Sequence, residues 1–134
     1  MLPRLNHIKS TYVIAEWNCN GWFTNKSPYI LEFKQNVIKF LNADCLILPE
    51  THCLPHQKIQ IENYTLFHNN RSNIPANCNR GSGGIAIAIK DNLLIDHEIV
   101  AVYNYNIDGQ IGLKLKNSKS NLLIGIVGLY LTPG

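Results

Sequence analysis

The sequence lacks a continuous apolar segment at its start: "MLPRLNHIKS" is interrupted by proline, arginine and lysine, so it offers no h-region of a secretory signal peptide. No window approaches the roughly 18 consecutive apolar residues of a membrane span, which argues against a membrane partner. Charge is sparse, at 16% of residues, and the net +3 is mildly basic. That balance permits contact with a phosphate-rich partner and excludes a histone-like or polybasic chain. Cysteines number four (Cys19, Cys45, Cys53, Cys78), with no regular spacing and no Cys-x-x-Cys clip. A disulfide framework is therefore not expected, and reduced thiols in an intracellular protein are. His52, Cys53, His56 and Cys78 read as loop residues and not as a zinc site, since His52 and Cys53 are adjacent and nothing clips them. There is no internal repeat, and the longest polar stretch, Asn69 to Gly84, reads as a loop within one domain.

What is present suits one compact unit: 134 residues, 46% of them hydrophobic. "TYVIAEW" (Thr11 to Trp17) is β-branched and aromatic enough for a strand. Ser27-Pro28 predicts an N-cap followed by Pro at the first helical position, with a helix over Pro28 to Asn42 burying Ile30, Phe33, Val37, Ile38 and Leu41. "ADCLILPE" follows as an apolar run typical of a strand covered on both faces, which completes a β-α-β unit with parallel strands. Thereafter "NYTLFHN", "GGIAIAIK", "HEIVAVY", "QIGLKLK" and "NLLIGIVGLY" predict strands joined by Asn, Gly, Asp and Ser turns, mostly antiparallel.

Strand ends are where this pattern places chemistry. In a β-α-β unit, ligands sit beyond the carboxyl ends of the strands; the first strand ends at Asn18 and Asn20, the second at Glu50-Thr51. Two amides and a carboxylate at one edge suit a hard cation such as Mg²⁺, which takes oxygen ligands, waters and a substrate phosphate. The same residues also read as turn formers beside Gly21 and a solvated glutamate. Other features carry plain readings: "GSGG" (Gly81 to Gly84) as a tight entry into a strand, Asp108-Gly109 as a turn, and Trp17 as core. Trp22 is the candidate for stacking on bases, and Arg80 the candidate for DNA phosphate.

The ordered series "WNCNGW", "ADCLILPETH", "RGSGGIAIAI" and "VGLYLTPG" resembles the endonuclease/exonuclease/phosphatase superfamily, most closely the apurinic/apyrimidinic-type endonuclease domains attached to reverse transcriptases of non-LTR, LINE-type retrotransposons. The resemblance runs from Tyr12 to Gly134, leaving residues 1–10 as an extension and 11–134 as the N-terminal portion of the domain. It implies an α+β fold, half of a two-sheet β-sandwich flanked by helices. It further implies a Mg²⁺- or Mn²⁺-dependent DNA endonuclease that hydrolyses phosphodiesters, with a reverse transcriptase domain downstream and a nuclear location. By this similarity Asn18 orients the reacting phosphate, Glu50 is the principal metal ligand, and Tyr130 reaches the phosphate; Asn20 is a weaker metal ligand.

Family members draw an Asp-x-Asn pair and an Asp-His pair from the later half of the domain, and none of His7, His52, His56, His68 and His97 matches that histidine. The expectation is therefore an inactive fragment, prone to aggregate, with the apolar faces of "IAIAI" and "LLIGIVGLY" uncovered. Two other readings stand beside it: a phosphatase of small phosphorylated molecules on the same fold, and a non-catalytic remnant or binding module.

Overall fold

The computed structural model describes residues 11–23, 27–72, 74, 81–104 and 107–131. Among the described residues, seven strands form two sheets, with one α-helix beside them, in a mixed α/β arrangement. Strand β1 (Ile14–Glu16) is followed by helix α1 (Pro28–Leu41) and strand β2 (Cys45–Pro49). Then come β3 (Tyr64–Asn69), β4 (Ile85–Lys90), a 3₁₀ turn (Leu93–Ile95), β5 (His97–Tyr103), β6 (Gln110–Asn117) and β7 (Leu123–Leu129).

The first sheet has the order β1-β2-β4-β3. β1 and β2 are parallel, with Glu16 opposite Ile47, as the β-α-β pattern predicts. β4 runs antiparallel to both of its neighbours. The second sheet is an antiparallel meander, β5-β6-β7. Alternation along β4 divides the core: Ala86 and Ala88 join Trp22, Ile38, Leu46 and Leu48 on the helix side. Ile85, Ile87 and Ile89 pack against Ile111, Leu113, Leu115 and Ile126 of the second sheet. The expected exposure of "IAIAI" is thus corrected, because the chain supplies its own second sheet over those isoleucines. "LLIGIVGLY" fares differently, since Leu123, Val127 and Leu129 on the outer face of β7 are all more than half exposed.

Helix α1 begins and ends as its sequence dictates. The Ser27 side chain accepts a hydrogen bond from the Tyr29 amide, Pro28 opens the first turn, and Asn42 takes a left-handed conformation at the C-terminus. Its buried face differs from the predicted one. Ile30 and Phe33 are exposed, whereas Leu31, Lys34, Ile38 and Leu41 turn inward. Lys34 explains the rotation: its ammonium donates to the carbonyls of Gly21 and Trp22 and so fastens the helix to the "WNCNGW" loop. Two backbone acceptors offset the cost of burying the charge, and that pairing outweighs the apolar periodicity.

Candidate functional site

The parallel register of β1 and β2 carries both chains to the same edge, and the Trp17 amide extends the pairing to the Ile47 carbonyl at 2.9 Å. Beyond that point each strand breaks. Asn20 (φ 53°) and Glu50 (φ 51°) both adopt left-handed conformations. The Gly21 amide bonds the Glu50 carbonyl at 2.9 Å and the Trp22 amide bonds the Thr51 carbonyl at 2.8 Å, so the two breaks are fastened to each other.

The Asn18 side chain is oriented from within its own turn. Its Oδ1 accepts the Asn20 backbone N–H at 2.9 Å, which leaves Nδ2 to donate to Glu50 Oε2. The other carboxylate oxygen, Oε1, accepts the Tyr130 hydroxyl at 2.6 Å. Tyr130 arrives from the opposite sheet, directly after β7, and its amide donates to the Gly109 carbonyl at 2.7 Å. Gly109 has φ +80°, and a Cβ there would be driven into the Tyr130 carbonyl, so only glycine allows this approach.

Hydrogen bonds from Tyr130 and Asn18 hold the Glu50 carboxyl below its ordinary range, with His52 adding a smaller push in the same direction. The reciprocal effect raises the Tyr130 phenol, chiefly through its bond to Glu50. Glu50 is therefore an ionised, partly accessible carboxylate whose two oxygens each accept a neutral donor. A carboxylate of this kind can serve as one oxygen ligand to a hard cation such as Mg²⁺ or Mn²⁺, which binds through one or two carboxylates and keeps several waters. No cluster of three or more His, Cys, Asp or Glu side chains suited to a metal occurs among the described residues.

Of the site residues read from sequence, Asn18, Glu50 and Tyr130 are brought into contact. Asn20 contributes its backbone N–H to Asn18, and its side chain stands at the exposed rim. Trp22 requires correction: only 1% of it is exposed, in the core beneath α1, so it has no ring face for a base. Trp17, expected in the core, is half-buried and packs against the helix-side core. Arg80 lies outside the described residues. Cys53 is fully buried, its thiol raised by desolvation, and the Cys45 thiol is pushed up to about 12 by burial, as inert packing thiols are.

The "GSGG" stretch proves to be a brace for the segment after Glu50. Gly84 and Gly83 offer carbonyls to the amides of Thr51 (3.2 Å) and His52 (2.9 Å), and Gly81 lies directly against the Cys53 backbone. Two residues that the sequence did not single out for this edge join it. Arg71 follows β3, and its Nε lies 3.7 Å from Oδ2 of Asp108, the residue before Gly109. Nothing in the local pattern announces that pair, because its members are brought together only by the packing of the two sheets. No protein-family model matches the chain, and no curated protein matches it either. No helix among the described residues is long and apolar enough to cross a membrane.

Proposed function

We propose that this chain carries the metal-binding edge of a Mg²⁺- or Mn²⁺-dependent phosphodiester hydrolase acting on DNA, of the apurinic/apyrimidinic-type endonuclease kind joined to a retrotransposon reverse transcriptase and working in the nucleus. The observation that carries this reading is the convergence of Asn18 and Tyr130 on the two oxygens of Glu50 from opposite sheets. The resemblance assigns those same three residues to phosphate and metal, although they lie far apart in the chain. In this scheme Glu50, with Asn20 beside it, holds the cation. A divalent cation held there would supply Lewis-acid polarisation of a phosphate oxygen and a lowered pKa for a bound water. Asn18 and Tyr130 keep the carboxylate ionised and aimed; Asn18 Nδ2 keeps a second N–H for a phosphate oxygen, whereas the one Tyr130 O–H would reach a phosphate only by leaving Glu50 Oε1. The exposed position of Asn18 and Asn20 suits a polymer backbone laid across the edge better than an enclosed small phosphorylated molecule.

A general base commonly contributes about 10²- to 10⁴-fold, and the described residues bring one carboxylate into contact with Asn18 and Tyr130. Metal binding is therefore a sharper readout for this chain than nicking of plasmid DNA, which is not expected of it alone. Mn²⁺ binding followed by electron paramagnetic resonance should be lost in Glu50→Gln while the thermal transition stays in place. Equal Mn²⁺ binding by the two proteins would reject the assignment.

A further inference from the structure

Arg71 and Asp108 occupy the same edge as Glu50 and Tyr130 but serve no step assigned so far. They come from different sheets: Arg71 follows β3, and Asp108 lies in the turn before β6. Gly83, itself part of the brace, packs directly against them. Its φ is +60°, and a Cβ there would stand 3.2 Å from Asp108 Oδ2 and 3.4 Å from Arg71 Cδ, so the glycine keeps room for the pair. Both side chains are about one-third exposed, at 35% and 31%. Asp108 directly precedes Gly109, whose carbonyl accepts the Tyr130 amide at 2.7 Å, so the pair stands beside the Tyr130 segment; the Asp108 charge adds to the upward shift of the phenol and Arg71 opposes it.

The geometry of the pair is that of orientation and not of closure. A closed guanidinium–carboxylate fork has two parallel contacts near 2.7–2.9 Å. Here a single Nε approach at 3.7 Å is joined by a long contact of 3.4 Å from Nη1 to Ser82 Oγ. The carboxylate draws the guanidinium toward this edge, and neither of these two contacts with the described residues is short or paired, at a partly exposed position on the edge that carries Tyr130.

We propose that Arg71, positioned by Asp108, is the cation that takes a backbone phosphate oxygen of bound nucleic acid at this edge, next to the phosphate addressed by Tyr130. The inference rests on the DNA reading above. A phosphate there would meet the guanidinium fork from the solvent side, and Asp108 would keep the fork from collapsing onto the Tyr130–Glu50 pair.

The test is the salt dependence of binding of a short fluorescent duplex DNA to the whole 134-residue chain in Ca²⁺, measured by anisotropy. Each phosphate contact contributes about one unit to the slope of log K against log salt. Arg71→Gln should weaken binding about tenfold or more and reduce that slope by about one. The double variant Arg71→Gln/Asp108→Asn has the net charge of the wild type and should stay as weak. Recovery of wild-type affinity in the double variant would mean that Arg71 only neutralises Asp108, and would overturn the proposal. So would an unchanged slope in Arg71→Gln. If Arg71→Gln does not fold, Arg71→Lys decides: it should retain the slope and lose several-fold in affinity, and wild-type affinity would overturn the role of the fork. Absence of any binding by the wild type at low salt would instead reject the DNA reading, and this inference with it.

Discussion

Strands β4 and β7 are both apolar runs, "IAIAI" and "LIGIVGL", and their fates differ. Every residue from Ile85 to Ile89 is buried, because α1 and the loop after β2 cover one face of the first sheet and the second sheet covers the other. In β7 only alternate residues turn inward; Leu123, Val127 and Leu129 face outward, on the edge strand of the second sheet. An apolar run therefore specifies a strand but not the number of layers around it. The outer side of β6 carries Lys114 and Lys116, which blunt that face, whereas β7 has no charge of its own along its length.

The sharpest way to break this comparison is to shorten one side chain in each strand. Ile87→Ala should cost about 2–5 kcal/mol, as deletions from filled cores do. Val127→Ala should stay within about 0.5 kcal/mol. Urea unfolding measures both, and a comparable loss at Val127 would mean that its face is covered in solution by another chain.

Glycines on the second sheet sharpen the same contrast at smaller scale. Gly109→Ala places a Cβ against the Tyr130 carbonyl at φ +80° and should cost about 1–3 kcal/mol, with Tyr130 displaced from Glu50. Gly125, on the open face of β7, has nothing within 4 Å of an added Cβ. Gly125→Ala should raise stability by about 0.4–1 kcal/mol, since it mainly restricts the unfolded chain. Thermal melts of the two variants should therefore move in opposite directions, and a shared direction would refute the placement of one of them.

The smallest effect is the pH dependence of the contact that joins the two sheets. The folded Glu50 carboxyl binds its proton less tightly than the unfolded one, whose ordinary value is 4.5. Its contribution to stability is complete above that value and is lost as pH falls through the lower folded value. Tyr130 runs in the opposite sense: its phenol is raised above 10.0, so its contribution is complete below that and is lost as pH rises through the folded value. Glu50→Gln should flatten the acid side of the melting profile slightly and shift tyrosinate absorbance to lower pH. Identical alkaline titrations of the two proteins would show that Tyr130 does not rest on Glu50.

Local pattern was sufficient for much of this molecule. Alternation and turn residues located β2 through β7 to within two or three residues, and the Ser27-Pro28 start of α1 was legible because capping is a local act. Strand ends also marked Asn18 and Glu50, since a parallel pair must bring its carboxyl ends to one edge. The inward face of α1 was misread because a buried ammonium satisfied by two distant carbonyls leaves no trace in helical periodicity. Trp22 was misread for the same reason: a tryptophan in a loop looks free until α1 closes over it.

The sequence by itself determined the elements and their order, because propensity, capping and turn chemistry act over a few neighbouring residues. Only the tertiary structure decided which runs are covered twice, that Tyr130 reaches Glu50 across the two sheets, and that Arg71 meets Asp108 beside them. Those contacts join residues 80 and 37 positions apart, and their existence depends on how the layers stack, which no local pattern encodes.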